Sequence, residues 1–313
     1  MIIKVSAWFR YSVGPEKADL RVSRRIAAAM KGIVLTFFSG KVLTLIRTFF
    51  VDVIFQLHVL KEDLLRWFAH MCIYGGFAML FFLHVLDNKV VAHLYPEYAS
   101  TLNPFLFIRD AGGGLIVIGV ALAIYRRFIK QTHRPMTSRM DITAMVMVGA
   151  IVLSGFLLEA TKITSQSTFQ RMAEEYAGQA DEQELQALES YWVENFGLVF
   201  SGLRGPFDKA TLAKGKSAHQ INCAQCHSSA QWGFVGYAVS IPMRPVASAL
   251  DGAGTPFFLT WVHYLAALFF LAYLPFSKMF HIFTTPLSLM VNAVMDGQGA
   301  PANVATRQML ELD

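Results

Sequence analysis

The chain has 313 residues, 54% of them hydrophobic and 16% charged, with a mean hydropathy of +0.42. That composition is too apolar for a water-soluble domain and excludes disordered and collagen-like classes. Three cysteines are too few for a disulfide framework, and the net charge of +5 comes from bases beside the apolar runs, a pattern of membrane topology and not of nucleic-acid binding.

Residues 1–66 are expected to form a cytoplasmic tail and an amphipathic helix. Lys41, Thr44, Thr48, Asp52 and Gln56 recur at helical spacing opposite Val42, Leu45, Ile46, Phe49, Phe50, Val53, Ile54 and Leu57, which predicts a helix lying in the membrane interface. The competing reading is an additional span from Ile26 to Ile46, opposed by Lys31 and Lys41. Lys31 also interrupts the early apolar stretch, which lacks the pattern of a cleavable signal peptide.

Residues 67–161 are expected to hold three spanning helices. The first, Trp67 to Leu86, contains no Asp, Glu, Lys or Arg but carries His70 and His84; Cys72 reads as a small packing residue. The second runs from about Pro104 to Tyr125, with Arg109 and Asp110 near its start. Its Gly112-Gly113-Gly114 step lets a backbone or a flat ligand approach closely. The third is Ile142 to Leu158, extended to Thr161. Between the second and third lie Arg126, Arg127, Lys130, Arg134 and Arg139, and short basic loops stay in the cytoplasm. Both termini are then cytoplasmic, and residues 162–255 form a periplasmic insertion. Its Glu174, Glu175, Asp181, Glu182, Glu184 and Glu189 suggest solvated helices.

The insertion contains Cys-Ala-Gln-Cys-His, Cys223 to His227. Two thiols at this spacing each add to one haem vinyl group, and the following histidine binds the iron from the same side, so the motif predicts one covalently bound haem c. A zinc site would need further ligands. The preceding KGKSAHQIN resembles the first helix of a class I cytochrome c. For the sixth ligand the candidates are Met243, in a loop stiffened by Pro242 and Pro245, and His93. Residues 256–285 form the fourth span, with His263 and His281 and an expected kink at Pro275; residues 286–313 form a cytoplasmic tail.

His70 and His84 are 14 residues apart and His263 and His281 are 18 apart, about four and five helical turns, so each pair falls on one face. Opposed helix directions pair His84 with His263 near the outside and His70 with His281 near the cytoplasm, giving two bis-histidine haem b sites. Arg109, Asp110 and Glu159 are polar candidates for a quinone pocket beside the outer site. Haem-propionate pairing for Arg109, and an ion pair of Glu159 with Lys162 or Arg109, are the alternatives.

With these residues in hand, the chain resembles the gamma subunit of respiratory nitrate reductase, a membrane cytochrome b. The likeness is carried by VHYLAALFFLAYLPFSKMFHIFTTPLSLMV, by the glycine-rich start of the second span and its Tyr125-Arg126-Arg127 end, and by Asp141 opening the third. The family's first span is replaced here by the amphipathic segment, the first-span histidines are further apart, and the c-haem insertion is foreign to it. The interface helix followed by LHVLKEDLLRWFAHMCIYGGF looks more like related cytochromes b serving heterodisulfide-reductase-like iron–sulfur proteins.

The fold expected is an all-α integral membrane protein: a four-helix transmembrane bundle with an N-terminal amphipathic interface helix and a mainly helical periplasmic cytochrome c-like insertion. The resemblance implies a multi-pass subunit of a bacterial or archaeal cytoplasmic membrane with two haems b. It would transfer electrons between menaquinone or another quinone, or a periplasmic cytochrome c, and a cytoplasmic iron–sulfur or reductase subunit. The alternatives are a quinol-oxidising nitrate reductase-type gamma subunit and a structural haem-binding anchor. A transporter would show paired carboxylates or broken helices at the midplane, which the sequence lacks.

Overall fold

The structure, a computed structural model, describes residues 22–130, 138–178 and 180–295. Arg134 of the basic loop, residues 1–21 and residues 296–313 lie outside these. Among the described residues the chain is helical without strands, and an isolated bridge joins Phe200 and Leu203. Among the described residues four helical stretches are each long and apolar enough to cross a membrane, Leu64–Val85, Phe105–Ile129, Arg139–Thr164 and Thr255–Phe276, and the bent pair Val22–Phe37 and Lys41–Ile54 passes the same test when taken together. The chain is an all-α membrane protein with a four-helix bundle.

The chain divides into two compact units, one drawn from residues before Phe68 and after Phe270, the other Phe68–Phe270. In the first, α1 (Val22–Phe37) and α2 (Lys41–Thr48) meet at 94° across Phe38–Gly40, so no straight span runs from Ile26 to Ile46. α2 continues as a wider turn over Phe49–Ile54 and stops where Gln56 takes a left-handed φ of 48°, before α3 (Leu57–Glu62). The amphipathic helix therefore ends before Leu57, the last residue of the expected pattern. Its Leu43, Ile46 and Phe50 are exposed and Thr48 is buried, which suits an apolar face turned to lipid. Lys41 Nζ donates to the Val294 carbonyl at 3.1 Å, near the end of a later helix.

The second unit contains most of the spans. α4 (Leu64–Leu80) is extended by a wider turn over Phe81–Val85, and α5 (Phe105–Ile124) follows. α6 (Arg139–Thr164) opens on a capping box, with Ser138 Oγ accepting the Asp141 amide and the Asp141 carboxylate accepting that of Ser138. Arg127 pairs with Asp141 at 3.3 Å, tying the end of α5 to the start of α6. The glycine step works by direction. A Cβ on Gly112 would press on α4 beside Gly76, one on Gly113 would lie 2.7 Å from Phe156 of α6, and one on Gly114 would touch Val235.

Beyond α6 come α7 (Gln166–Tyr176), α8 (Glu182–Phe196) and α9 (Lys209–Asn222), with N-caps from Ser165, Asp181 and Asp208. Phe169, Ala173, Leu188, Leu198, Phe200, Ala218 and Cys223 form their core. α10 (Phe234–Met243) lies against α5 and α6, and α11 (Ala247–Gly252) leads to α12 (Thr255–Tyr273). The fourth span is shorter than expected: Leu274–Phe276 tightens into a 3₁₀ turn at Pro275, Ser277 is extended and caps the next turn, and α13 (His281–Met295) starts afresh. His263 and His281 therefore sit on different helices, not on one face of one helix. The ring of Pro275 supplies no N–H to continue the ladder.

Candidate functional site

Two clusters carry the chemistry-bearing residues of the second unit. The first joins His84, on the wide last turn of α4, to His263 on α12, with ring centroids 6.0 Å apart and planes at 52°. His263 Nδ1 lies 3.1 Å from both the Ile151 carbonyl and Ser154 Oγ. A carbonyl only accepts, and the Ser154 hydroxyl donates to that same carbonyl at 2.9 Å. The proton of His263 thus sits on Nδ1, and Nε2 keeps its lone pair. Ligating histidines hold their other N–H in this way. Gly155 leaves room for the ring, because a Cβ there would lie 3.2 Å from His263 Cε1.

The pair is compatible with a haem b: His84 and His263 would hold its iron between their rings, His263 through Nε2. Haem supplies one-electron redox chemistry when held this way. His70 stacks against Tyr74 at 6.5 Å. His281, in the other unit, has its Nδ1 2.8 Å from the Lys278 carbonyl, which places its lone pair on Nε2 as well.

The second cluster surrounds Cys-Ala-Gln-Cys-His. The amides of Cys226 and His227 both donate to the Cys223 carbonyl, forming a tight turn. Cys223 is buried and Cys226 exposed, and no disulfide joins them. Burial, and then the neighbouring Cys226, pushes the Cys223 thiol up to about 11. Burial, and then His219, pushes the His227 imidazole below its ordinary value, so it is neutral near pH 7 as a ligand must be. His227 packs edge-on to Trp192 at 5.5 Å, while His219 is boxed by Tyr191, Trp192 and Phe196. Among the described residues no three His, Cys, Asp or Glu side chains gather as a metal site.

The turn is stapled to the loop between the first two spans. Thr101 Oγ1 donates to the Cys226 carbonyl at 2.5 Å, the Ser228 amide to the Thr101 carbonyl at 3.0 Å, and the Asn103 amide to Ser228 Oγ at 3.0 Å. The same loop reaches α4, where the Tyr98 hydroxyl donates to the Leu83 carbonyl at 2.6 Å, one residue from His84. Met243 is not in a proline-stiffened loop: it is the last residue of α10, with Pro242 inside that helix and Pro245 in the following 3₁₀ turn. His93 is exposed on a single turn, Ala92–Leu94.

Arg109 and Glu159 form an ion pair at 3.0 Å, one of the alternatives expected. Asp110 is 2% exposed, and its two oxygens accept the amides of Val235 at 2.8 Å and Gly236 at 3.2 Å. It caps α10 and does not present its carboxylate to an open pocket. The sequence pointed to neither Ser154 nor the Thr101 staple. α10 did leave a signal in the stretch from Ser228 to Met243, which carries no charge.

Comparison with known proteins finds likeness to a subunit of the dihydromethanophenazine:CoB–CoM heterodisulfide reductase: 28% identity over 124 residues for the Methanosarcina thermophila protein and 29% over 119 for that of Methanosarcina acetivorans, in each case 36% of this chain and 45% of the other. An EtfAB:quinone oxidoreductase of Syntrophomonas wolfei is 23% identical over 256 residues, 80% of this chain and 28% of that one. By name these are redox proteins. The chain spans less than half the length of these relatives. The expected likeness to proteins of heterodisulfide-reductase systems is found over these stretches. No family model and no solved structure matches.

Proposed function

We propose that this chain is the membrane subunit of an electron-transfer complex, carrying electrons between a quinone or a periplasmic cytochrome c and a cytoplasmic iron–sulfur or reductase partner. The observation that carries it is the His84–His263 pair, 6.0 Å apart, with one imidazole fixed in the tautomer that ligates. In this reading His84 and His263 hold one haem b, His70 and His281, in separate units, are each a candidate ligand of a further haem, and Cys223, Cys226 and His227 hold a haem c on the periplasmic side. Ser154 and Ile151 orient His263, and Thr101 and Ser228 fix the Cys-Ala-Gln-Cys-His turn on the loop beside His84. The redox names of the relatives support the electron-transfer reading, and a methanophenazine- or quinone-like lipophilic donor is the class of small molecule they suggest.

The test is the pyridine haemochrome spectrum of the purified protein. The reading expects c and b haem in a ratio near one to two, with both b components responding in an optical redox titration. Haem c without haem b would overturn the histidine assignment. Haems that do not respond to quinol or to reduced cytochrome c would favour a structural anchor.

A further inference from the structure

Residues 228–243 do not belong to the water-exposed part of the insertion. From Ser228, stapled to Asn103, the chain runs down beside α5: Trp232 meets Phe107 edge-on at 6.2 Å, and Gly233 is buried against Leu106 and Glu159. It reverses at Val235, which packs on the cluster of Ile116, Val152 and Phe156. Val152 and Phe156 lie twelve and eight residues before the end of α6 at Thr164, about 18 and 12 Å along the helix at 1.5 Å per residue. α10 then leads to α11, where Asp251 accepts hydrogen bonds from Ser165 and from the Ser167 amide and hydroxyl, just past the end of α6.

The reversal point is furnished as backbone inside a membrane must be, with its polar groups met by protein. Asp110 accepts the two amides that begin α10. Glu159 fills the space beside Gly233 and Gly236, where a Cβ on Gly236 would lie 2.7 Å from its carboxyl carbon, and Arg109 balances its charge at 3.0 Å. The other side of the segment is apolar and uncovered. Trp232 is 52% exposed, Phe234 44% and Ile241 50%, and the Phe234 ring packs at a tilt against Phe107, itself 43% exposed on the spanning helix α5. The uncovered surface is thus continuous with the lipid-facing side of a span, and its aromatic rim is of the kind that lies at a membrane–water interface.

We propose that Trp232–Met243 is a re-entrant element that dips into the leaflet on the side of Cys223 and exits along α6, with the acyl–headgroup boundary as the partner of its Trp232, Phe234 and Ile241 face. Twelve uncharged residues are too few to span but suit a re-entrant segment. Cys226 lies six residues before Trp232, so the element also holds the Cys-Ala-Gln-Cys-His turn close to the membrane surface. This assignment does not depend on the electron-transfer reading, because it needs neither haem nor partner.

The test uses the full chain in liposomes of phosphatidylcholine with and without brominated acyl chains. Wild-type tryptophan emission minus that of the Trp232→Phe variant isolates Trp232, and a loss of that signal in brominated lipid is expected. In parallel, Phe234→Cys and Ile241→Cys should react with a water-soluble maleimide about tenfold more slowly than Gln220→Cys, on the exposed face of α9, because the interface shields them. Unquenched Trp232 emission, or labelling of Phe234→Cys and Ile241→Cys as fast as Gln220→Cys, would place the segment in water and overturn the proposal. Slow labelling with unquenched Trp232 would mean that protein covers the face, and would overturn it equally.

Discussion

His263 reaches His84 across 6.0 Å while its opposite nitrogen is held by the Ile151 carbonyl and Ser154 of the third span. Three spans thereby converge on one pair of imidazoles: α4 and α12 supply the rings, and α6 sets the tautomer. Ser154→Ala should remove one of the two acceptors and loosen the ring, lowering affinity for the bound group about 10-fold or more, the usual effect of losing a ligand's orienting partner. Titration of haem into the apo variant reads this directly. Unchanged affinity would show that the Ile151 carbonyl suffices.

Cys223→Ser and Cys226→Ser should each weaken, and together abolish, haem staining on a denaturing gel. Persistence of the stain in the double variant would refute the attachment site. The staple from Thr101 to Cys226 should be dispensable for attachment, so Thr101→Val should keep the stain.

Asp110→Ala should destabilise the second unit. It leaves the Val235 and Gly236 amides without acceptors in a buried site, at about 1–3 kcal/mol for each group. Asp110→Asn keeps one amide oxygen as acceptor and should fall between the two. Thermal unfolding in detergent orders the three proteins, and equal midpoints would show that the cap contributes nothing.

Asp251 gives a pH dependence whose sign is fixed. Burial raises its carboxyl pKa, but hydrogen bonds from Ser165 and Ser167 outweigh this and hold it below the ordinary value of 3.8. A carboxyl lowered on folding contributes stability above its unfolded pKa and loses it as pH falls through the folded value. Asp251→Asn should lower the unfolding midpoint at pH 7 and flatten its fall below about pH 4. A variant as acid-sensitive as the wild type would assign that fall to other groups.

The spans were legible because an apolar run without charge has few other fates, and Gly112 and Gly113 announced the close crossing that the structure shows. Opposed helix directions alone had set His84 beside His263, whose rings lie 6.0 Å apart; the helical spacing assumed between His263 and His281 does not hold, because they are on different helices. The placement of His281 was less legible: a kink at Pro275 was foreseen, but not the extended Ser277 that ends one helix and starts another. α10 escaped notice because ten residues fall below the length of a span. Asp110 looked like a pocket residue because a buried carboxylate capping a helix 125 positions away leaves no local pattern. The Thr101–Cys226 contact was hidden for the same reason, since it joins two loops far apart in sequence.

The central claim is that His84 and His263 ligate the same group. The deciding measurement is the low-temperature reduced-minus-oxidised spectrum of His84→Ala and of His263→Ala, each purified as the full chain and compared with wild type. Both variants should lose the same b-type component and keep the other haems. Loss of different components, or retention of every b-type component in either variant, would contradict the pairing.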